Sequence, residues 1–320
     1  MAAPSGRALE GRLLGRWHNS EARERLLDWR EERSRTPWPA SRQRLAGEAP
    51  NVAIVVVNWN TRLLIAQLVF SLFRILGRDQ FAQIVVVDNG SSDGSRRLLE
   101  ILGRDGLIHL IANPRQRYHG PALNQGLSWL AERQRELPCP EQTDYVWVLD
   151  SDVVVLRRDT LLEAVSVLER ERAAAVAQAA WHPHHQREML GLYSLLLDPG
   201  LAWKAPMPPF REHGDPSAAL QAALRHQNKK LVSFPFVDGG YLLHVGRGTL
   251  AHVAKTGAAA NRYFAWATKH NEPHFAGASE GHIAYAAFLE LINRELPDLT
   301  PERLVDACCA SPLLTVARSA

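Results

Sequence analysis

Apolar runs recur through the first half of the chain, and each stops abruptly at polar residues. The runs are Val52 to Val57, Ile84 to Val87, Leu107 to Ile111 and Tyr145 to Leu149. The first is a continuous β-branched stretch, the pattern of a strand buried on both faces. The intervening stretches, around 61 to 76, 94 to 102 and 121 to 136, read as helices. Strand and helix alternating at this interval predict βαβ crossovers and a parallel sheet. Asn58-Trp-Asn60, Asp88-Asn-Gly90, Asn113 and Asp150 to Asp152 then all fall at carboxyl ends of strands. That edge is where open α/β sheets bind ligands.

On either side the pattern changes. Residues 1 to 48 are rich in arginine and acids, with Leu13, Leu14, Trp17, Leu26, Leu27 and Trp29 at partly helical spacing. They predict one or two amphipathic helices, either packed on the main domain or facing an acidic partner or membrane headgroups. Pro37, Pro39 and Pro50 punctuate an entry linker. Beyond Asp152, a helix is predicted over Thr160 to Arg172 and a strand over Ala173 to Ala180. Residues 181 to 215, with Pro183, Pro199, Pro206, Pro208 and Pro209, read as loops beside the site. Strands follow at Leu231 to Phe236 and Tyr241 to Val245, then helices near 248 to 255, 261 to 270 and 277 to 294. The resulting division is an N-terminal helical extension (1–50), a first α/β half (51–160), and a second half with C-terminal helices (161–320).

Composition narrows the class. At 320 residues and 46% hydrophobic content, the chain can bury a substantial core. Its 37 Lys and Arg against 34 Asp and Glu give a formal charge of +3, too balanced to argue for nucleic acid on charge alone, and anionic small molecules stay open. Cys139, Cys308 and Cys309 offer no zinc spacing and no disulfide framework, consistent with a reducing cytosol. No apolar run approaches the roughly 18 to 20 residues that span a bilayer, and no signal-peptide core opens the chain. The expectation is a cytoplasmic protein, with peripheral contact at the inner face of the membrane left open.

The chemistry concentrates at Asp150-Ser-Asp152. In extended backbone, side chains at i and i+2 point the same way, so both carboxylates project into one crevice. Two like charges that close call for a cation. A hard divalent ion such as Mg²⁺ or Mn²⁺ shares its oxygen ligands between protein carboxylates and substrate phosphates. Upstream, Val85-Val-Val-Asp-Asn-Gly-Ser-Ser-Asp-Gly-Ser95 sets an acid at a strand end before a Gly/Ser turn and a helix start. Asp88 there suits hydrogen bonding to a ribose or base, with Ser and Asp capping the helix.

Four segments in order, VAIVVVNWNT (52–61), VVVDNGSSDGS (85–95), HGPALNQGL (119–127) and VWVLDSDVVVL (146–156), resemble successive motifs of family 2 glycosyltransferases. The resemblance covers roughly residues 51 to 160 and loosens beyond 240. It implies the GT-A nucleotide-diphospho-sugar transferase fold, a Rossmann-like, mainly parallel sheet flanked by helices. It also implies a nucleotide-diphosphate sugar donor and a hydroxyl-bearing acceptor. Residue by residue, it assigns Asp88, with Asn58 and Asn60, to the nucleoside. Asp150 falls to the ribose and metal, Asp152 to the metal bridging the diphosphate, and Asn124 to the nucleotide pocket. A Lewis-acid ion stabilises the charge left on the departing diphosphate.

The remaining ligand and the base stay open. His244, His270 and His274 compete for the third metal position, with His274 preferred and His244 next. For an inverting transfer an acid must take the acceptor proton, and Asp238 and Glu272 are the contenders. The acidic pair that related proteins carry near residue 270 is absent here. A nucleotidyltransferase and a non-catalytic sugar-nucleotide-binding protein are the alternatives. The first strand is not followed by a glycine-rich basic phosphate loop, and no G-x-G-x-x-G opens the first helix, which disfavours nicotinamide enzymes.

Overall fold

The computed structural model describes residues 38, 48–138, 141–182, 185–202, 210, 216–245, 290–296 and 298–311. The N-terminal extension (1–50), apart from residues 38 and 48–50, and the helices expected near 248–255, 261–270 and 277–294 lie outside them, except that residues 290–294 of the last are described and helical. In chain order the first half gives β1 (Val52–Asn58), α1 (Arg62–Ser71), β2 (Gln83–Asp88), α2 (Ser95–Arg104), β3 (His109–Ala112), α3 (His119–Gln134) and β4 (Tyr145–Asp150). Short β5 (Val153–Val155), α4 (Thr160–Glu171) and β6 (Ala175–Ala177) follow. Then come β7 (Ala179–His182), β8 (Arg187–Leu190), β9 (Ser194–Leu197), α5 (Pro199–Ala202), α6 (Ala218–His226), β10 (Leu231–Ser233), β11 (Leu242–His244) and α7 (Pro301–Cys309).

The central sheet has seven strands in the order β10-β6-β9-β4-β1-β2-β3. β4, β1, β2 and β3 run parallel, as the apolar runs predict. Burial explains those runs. Val52, Ile54 and Val56 enter one core, whereas Ala53, Val55 and Val57 enter a second on the other face. A strand covered on both sides has no polar face to spare. Leu98, Leu99 and Leu102 of α2 and Leu161 and Val165 of α4 belong to the first core. Leu123, Leu127 and Leu130 of α3 and Leu220 and Leu224 of α6 belong to the second. Gly126 seats α3: a Cβ there would stand 2.8 Å from a Val55 methyl and 3.3 Å from one of Val87.

The stretch expected as loops from 181 to 215 is partly sheet. β9 runs antiparallel between β4 and β6, and β7 pairs antiparallel with β8. Its three leucines, 195 to 197, are fully buried, and Ser194 accepts a hydrogen bond from the Trp147 indole at 3.0 Å. The expected strand over Ala173 to Ala180 is divided at Gln178 into β6, in the central sheet, and β7, which pairs with β8 instead. The strand expected over Leu231 to Phe236 stops at Ser233. Among the described residues, no helix is long and apolar enough to cross a membrane.

Candidate active site

Parallel register brings the strand-end motifs to one edge. Asn58 lies opposite Asp88, Asp88 opposite Ala112, and Val57 opposite Asp150. A buried hydrogen-bond chain ties them together. The Asn58 amide donates to Asp88 Oδ1 at 3.1 Å and to Ser91 Oγ at 3.1 Å, which fixes its carbonyl as the acceptor on the other side. That carbonyl accepts from the Thr61 hydroxyl at 2.7 Å, and Thr61 Oγ1 lies 2.8 Å from Ser151 Oγ. Thr61's single proton is committed to Asn58, so Ser151 donates to Thr61. The chain therefore runs Ser151 to Thr61 to Asn58 to the Asp88 carboxylate. Asp88 is fully buried, and its Oδ2 also accepts from the Ser91 amide and from Arg96 Nε, each at 3.3 Å.

Asn60 and Asp93 hold the adjoining turns. Asn60 takes φ +54 and accepts from the Ser92 amide at 2.7 Å. Asp93 accepts from the first amide of α1, Arg62 at 2.8 Å, and from the first amide of α2, Ser95 at 3.0 Å. One carboxylate thus serves two positive helix ends. Gly90 has φ +79, and a Cβ there would fall 2.6 Å from the backbone of Arg115, so only glycine lets the 113–118 loop close over this turn.

Asp150, Asp152 and His244 form a cluster whose ligand atoms all lie within 4.8 Å of one another. The antiparallel pairing of β11 with β5 makes it. His244 sits opposite Val153, and the Val245 amide donates to the Asp152 carbonyl at 3.0 Å. His244 Nε2 is 3.3 Å from Asp152 Oδ1 and 4.0 Å from Asp150 Oδ2. Tyr193 braces the group. Its ring stacks on His244 with centroids 4.4 Å apart, and its carbonyl accepts from the Asp150 amide at 3.0 Å. Gly191 makes room for that ring, since a Cβ there would stand 2.6 Å from it.

Burial alone would lower the affinity of the His244 imidazole for its proton. The Asp152 carboxylate, by charge and hydrogen bond, and then Asp150 outweigh burial and hold His244 above its ordinary value. The Tyr193 phenol is pushed up by burial, with Asp238 and Asp150 adding to the shift. A raised imidazole stabilises the cation-free fold fully below its unfolded value of about 6.5, and this contribution is lost as pH rises through the raised folded value. In chelator the melting temperature is therefore expected to fall across that window, and the fall should be absent in His244→Gln. Equal pH profiles for the two proteins would contradict the pairing.

The other expected residues are placed as follows. Asn124 is buried in α3, where its amide donates to the Phe210 carbonyl at 2.9 Å and accepts from the Phe210 amide at 3.1 Å. Asp238 is exposed on a turn after β10, and its charge reaches Tyr193. Gln178 holds that turn, accepting from the amides of Val237 at 2.7 Å and Asp238 at 3.1 Å. Glu272, His270 and His274 lie outside the described residues. Thr61, Ser151, Gln178 and Tyr193 were not expected at the site. Nor was His119, whose Nε2 is 3.5 Å from Asp150 Oδ1. Its place at the head of the HGPALNQGL helix was the available signal.

Residues 53–196 match the model of glycosyl transferase family 2, the span that contains every strand-end motif above. Those residues form a family 2 glycosyltransferase domain. No curated protein sequence matches the chain. In fold, the chain is similar to a mannosyltransferase from Pyrobaculum calidifontis in complex with GDP-Man and Mn²⁺, with 17% identity, 89% of this chain and 93% of that chain covered, and a TM-score of 0.46. It is also similar to S. aureus TarS 1-349 in complex with UDP-GlcNAc, with 14% identity, 57% and 56% covered, and a TM-score of 0.40. A third is M. tuberculosis glucosyl-3-phosphoglycerate synthase, with 17% identity, 62% and 76% covered, and a TM-score of 0.43.

Proposed function

We propose that this glycosyltransferase moves a sugar from a nucleotide-diphosphate donor to a hydroxyl acceptor, using Mg²⁺ or Mn²⁺ held by Asp150, Asp152 and His244. The observation that carries the reading is the cluster of two carboxylates and one imidazole at the ligand-binding edge of a family 2 domain. Oxygen-rich donors with one imidazole suit a hard divalent ion better than a thiolate-seeking one. When bound, such an ion neutralises charge on the diphosphate and makes the nucleoside diphosphate a better leaving group.

The chain's own residues divide the remaining work. The Asn58, Asn60 and Asp88 turns form the nucleoside side, with Asp88 holding Asn58, Ser91 and Arg96 in place. The Ser151 hydroxyl locks the middle of the metal motif to that side through Thr61. Tyr193 fixes the ring plane of His244. On the acceptor side, the Asp238 carboxylate is exposed while its backbone is held by Gln178, so it is free to take the acceptor hydroxyl's proton. That assignment implies attack from the face opposite the leaving group and inversion at the anomeric carbon.

The test is product analysis. Incubated with Mn²⁺ and a panel of nucleotide sugars, the protein is expected to release a nucleoside diphosphate. Release of pyrophosphate instead would indicate nucleotidyl transfer.

A further inference from the structure

Asp150 is flanked by two imidazoles, and only one of them belongs to the cation cluster. His244 faces Oδ2 at 4.0 Å. On the other oxygen, His119 Nε2 stands 3.5 Å from Oδ1, and His119 is not a member of the Asp150, Asp152 and His244 group. Nε2 of His119 is itself covered and has no hydrogen-bond partner among the described residues. A covered ring nitrogen facing a carboxylate oxygen is one short movement from a charge-assisted hydrogen bond.

Both ends of this contact rest on fixed backbone. His119 is the first residue of α3, whose seat against β1 and β2 is set by Gly126. The Asn89 side chain clamps the approach to that helix. Its amide donates to the Tyr118 carbonyl at 3.0 Å, and its carbonyl accepts from the Arg117 amide at 2.9 Å. On the opposing strand, the Asp150 amide is held by the Tyr193 carbonyl.

We propose that His119 is a positioning residue: its Nε2–H donates to Asp150 Oδ1 and holds the carboxylate with Oδ2 turned toward His244 and the cation. This rests on the cation reading above. It adds an outer partner supplied by a different βα unit. Outer partners of this kind commonly set metal affinity by orienting the ligand they touch.

The experiment is Mn²⁺ binding, read from the electron paramagnetic resonance of free ion, for wild type, His119→Phe, His119→Gln and Asp152→Ala. Glutamine can place its amide nitrogen near the position of Nε2 and keeps a donor, whereas phenylalanine keeps the bulk and removes it. The expected result is about a tenfold or greater loss of Mn²⁺ affinity in His119→Phe, the range for lost outer partners, with His119→Gln close to wild type. Equal affinity in wild type and His119→Phe overturns the proposal and leaves the cation reading standing. A His119→Gln loss as large as that of His119→Phe overturns the hydrogen-bond role. Absence of Mn²⁺ binding in wild type, matching Asp152→Ala, overturns both.

Discussion

Asp152→Ala is expected to lower sugar transfer by about 100-fold or more, because a bound cation contributes several kcal/mol to the leaving group and about 1.4 kcal/mol is tenfold in rate. Two features make this change selective. The Asp152 carbonyl, not its side chain, pairs with the Val245 amide, so the β5–β11 pairing survives the substitution. Loss of the carboxylate also removes the 3.3 Å partner of His244, leaving two of the three groups that could hold a cation. Steady-state rates at saturating Mn²⁺ and donor measure the effect. The variant should keep its melting temperature in chelator to within a few degrees and lack the increase with Mn²⁺ that is expected of wild type. A rate within threefold of wild type would remove Asp152 from the site.

Asp88→Ala is expected to destabilise the domain before any substrate is added. The carboxylate is fully buried and ends the Ser151, Thr61 and Asn58 chain while accepting from Ser91 and Arg96. Breaking a buried pair costs about 3–5 kcal/mol. The Arg96 side chain is 35% exposed and regains water, which lowers the cost to about 2–3 kcal/mol. For a unit of this size that is roughly 5–10 °C in melting temperature. Asp88→Asn keeps one acceptor and should fall between the two. Calorimetry of the three proteins decides: melting temperatures within about 2 °C of one another would show that the chain carries no stabilisation.

The half of the fold around these acids was legible because strands buried on both faces demand continuous apolar runs. β1 and β4 therefore announced themselves, and the polar residue closing each run marked the ligand edge. β9 did not. Its Leu195, Leu196 and Leu197 stand among proline, glycine and aromatic residues, and its antiparallel insertion between β4 and β6 is a non-local pairing that no local pattern encodes. His244 was a candidate from its place after an apolar triplet. Its nearness to Asp152 depends on β11 pairing with β5, again a tertiary fact. His119 escaped for a similar reason: it opens the helix after β3, whereas its partner Asp150 ends β4, and β1 and β2 lie between those strands in the sheet.

The proposed role of Asp150, Asp152 and His244 is to serve the diphosphate of a sugar nucleotide during glycosyl transfer. Product analysis across the nucleotide-sugar panel, run with Mn²⁺ and again with excess chelator, tests it most directly. The expected result is release of a nucleoside diphosphate with Mn²⁺ and its loss with chelator. Pyrophosphate as the product, or turnover unchanged by chelator, would contradict it.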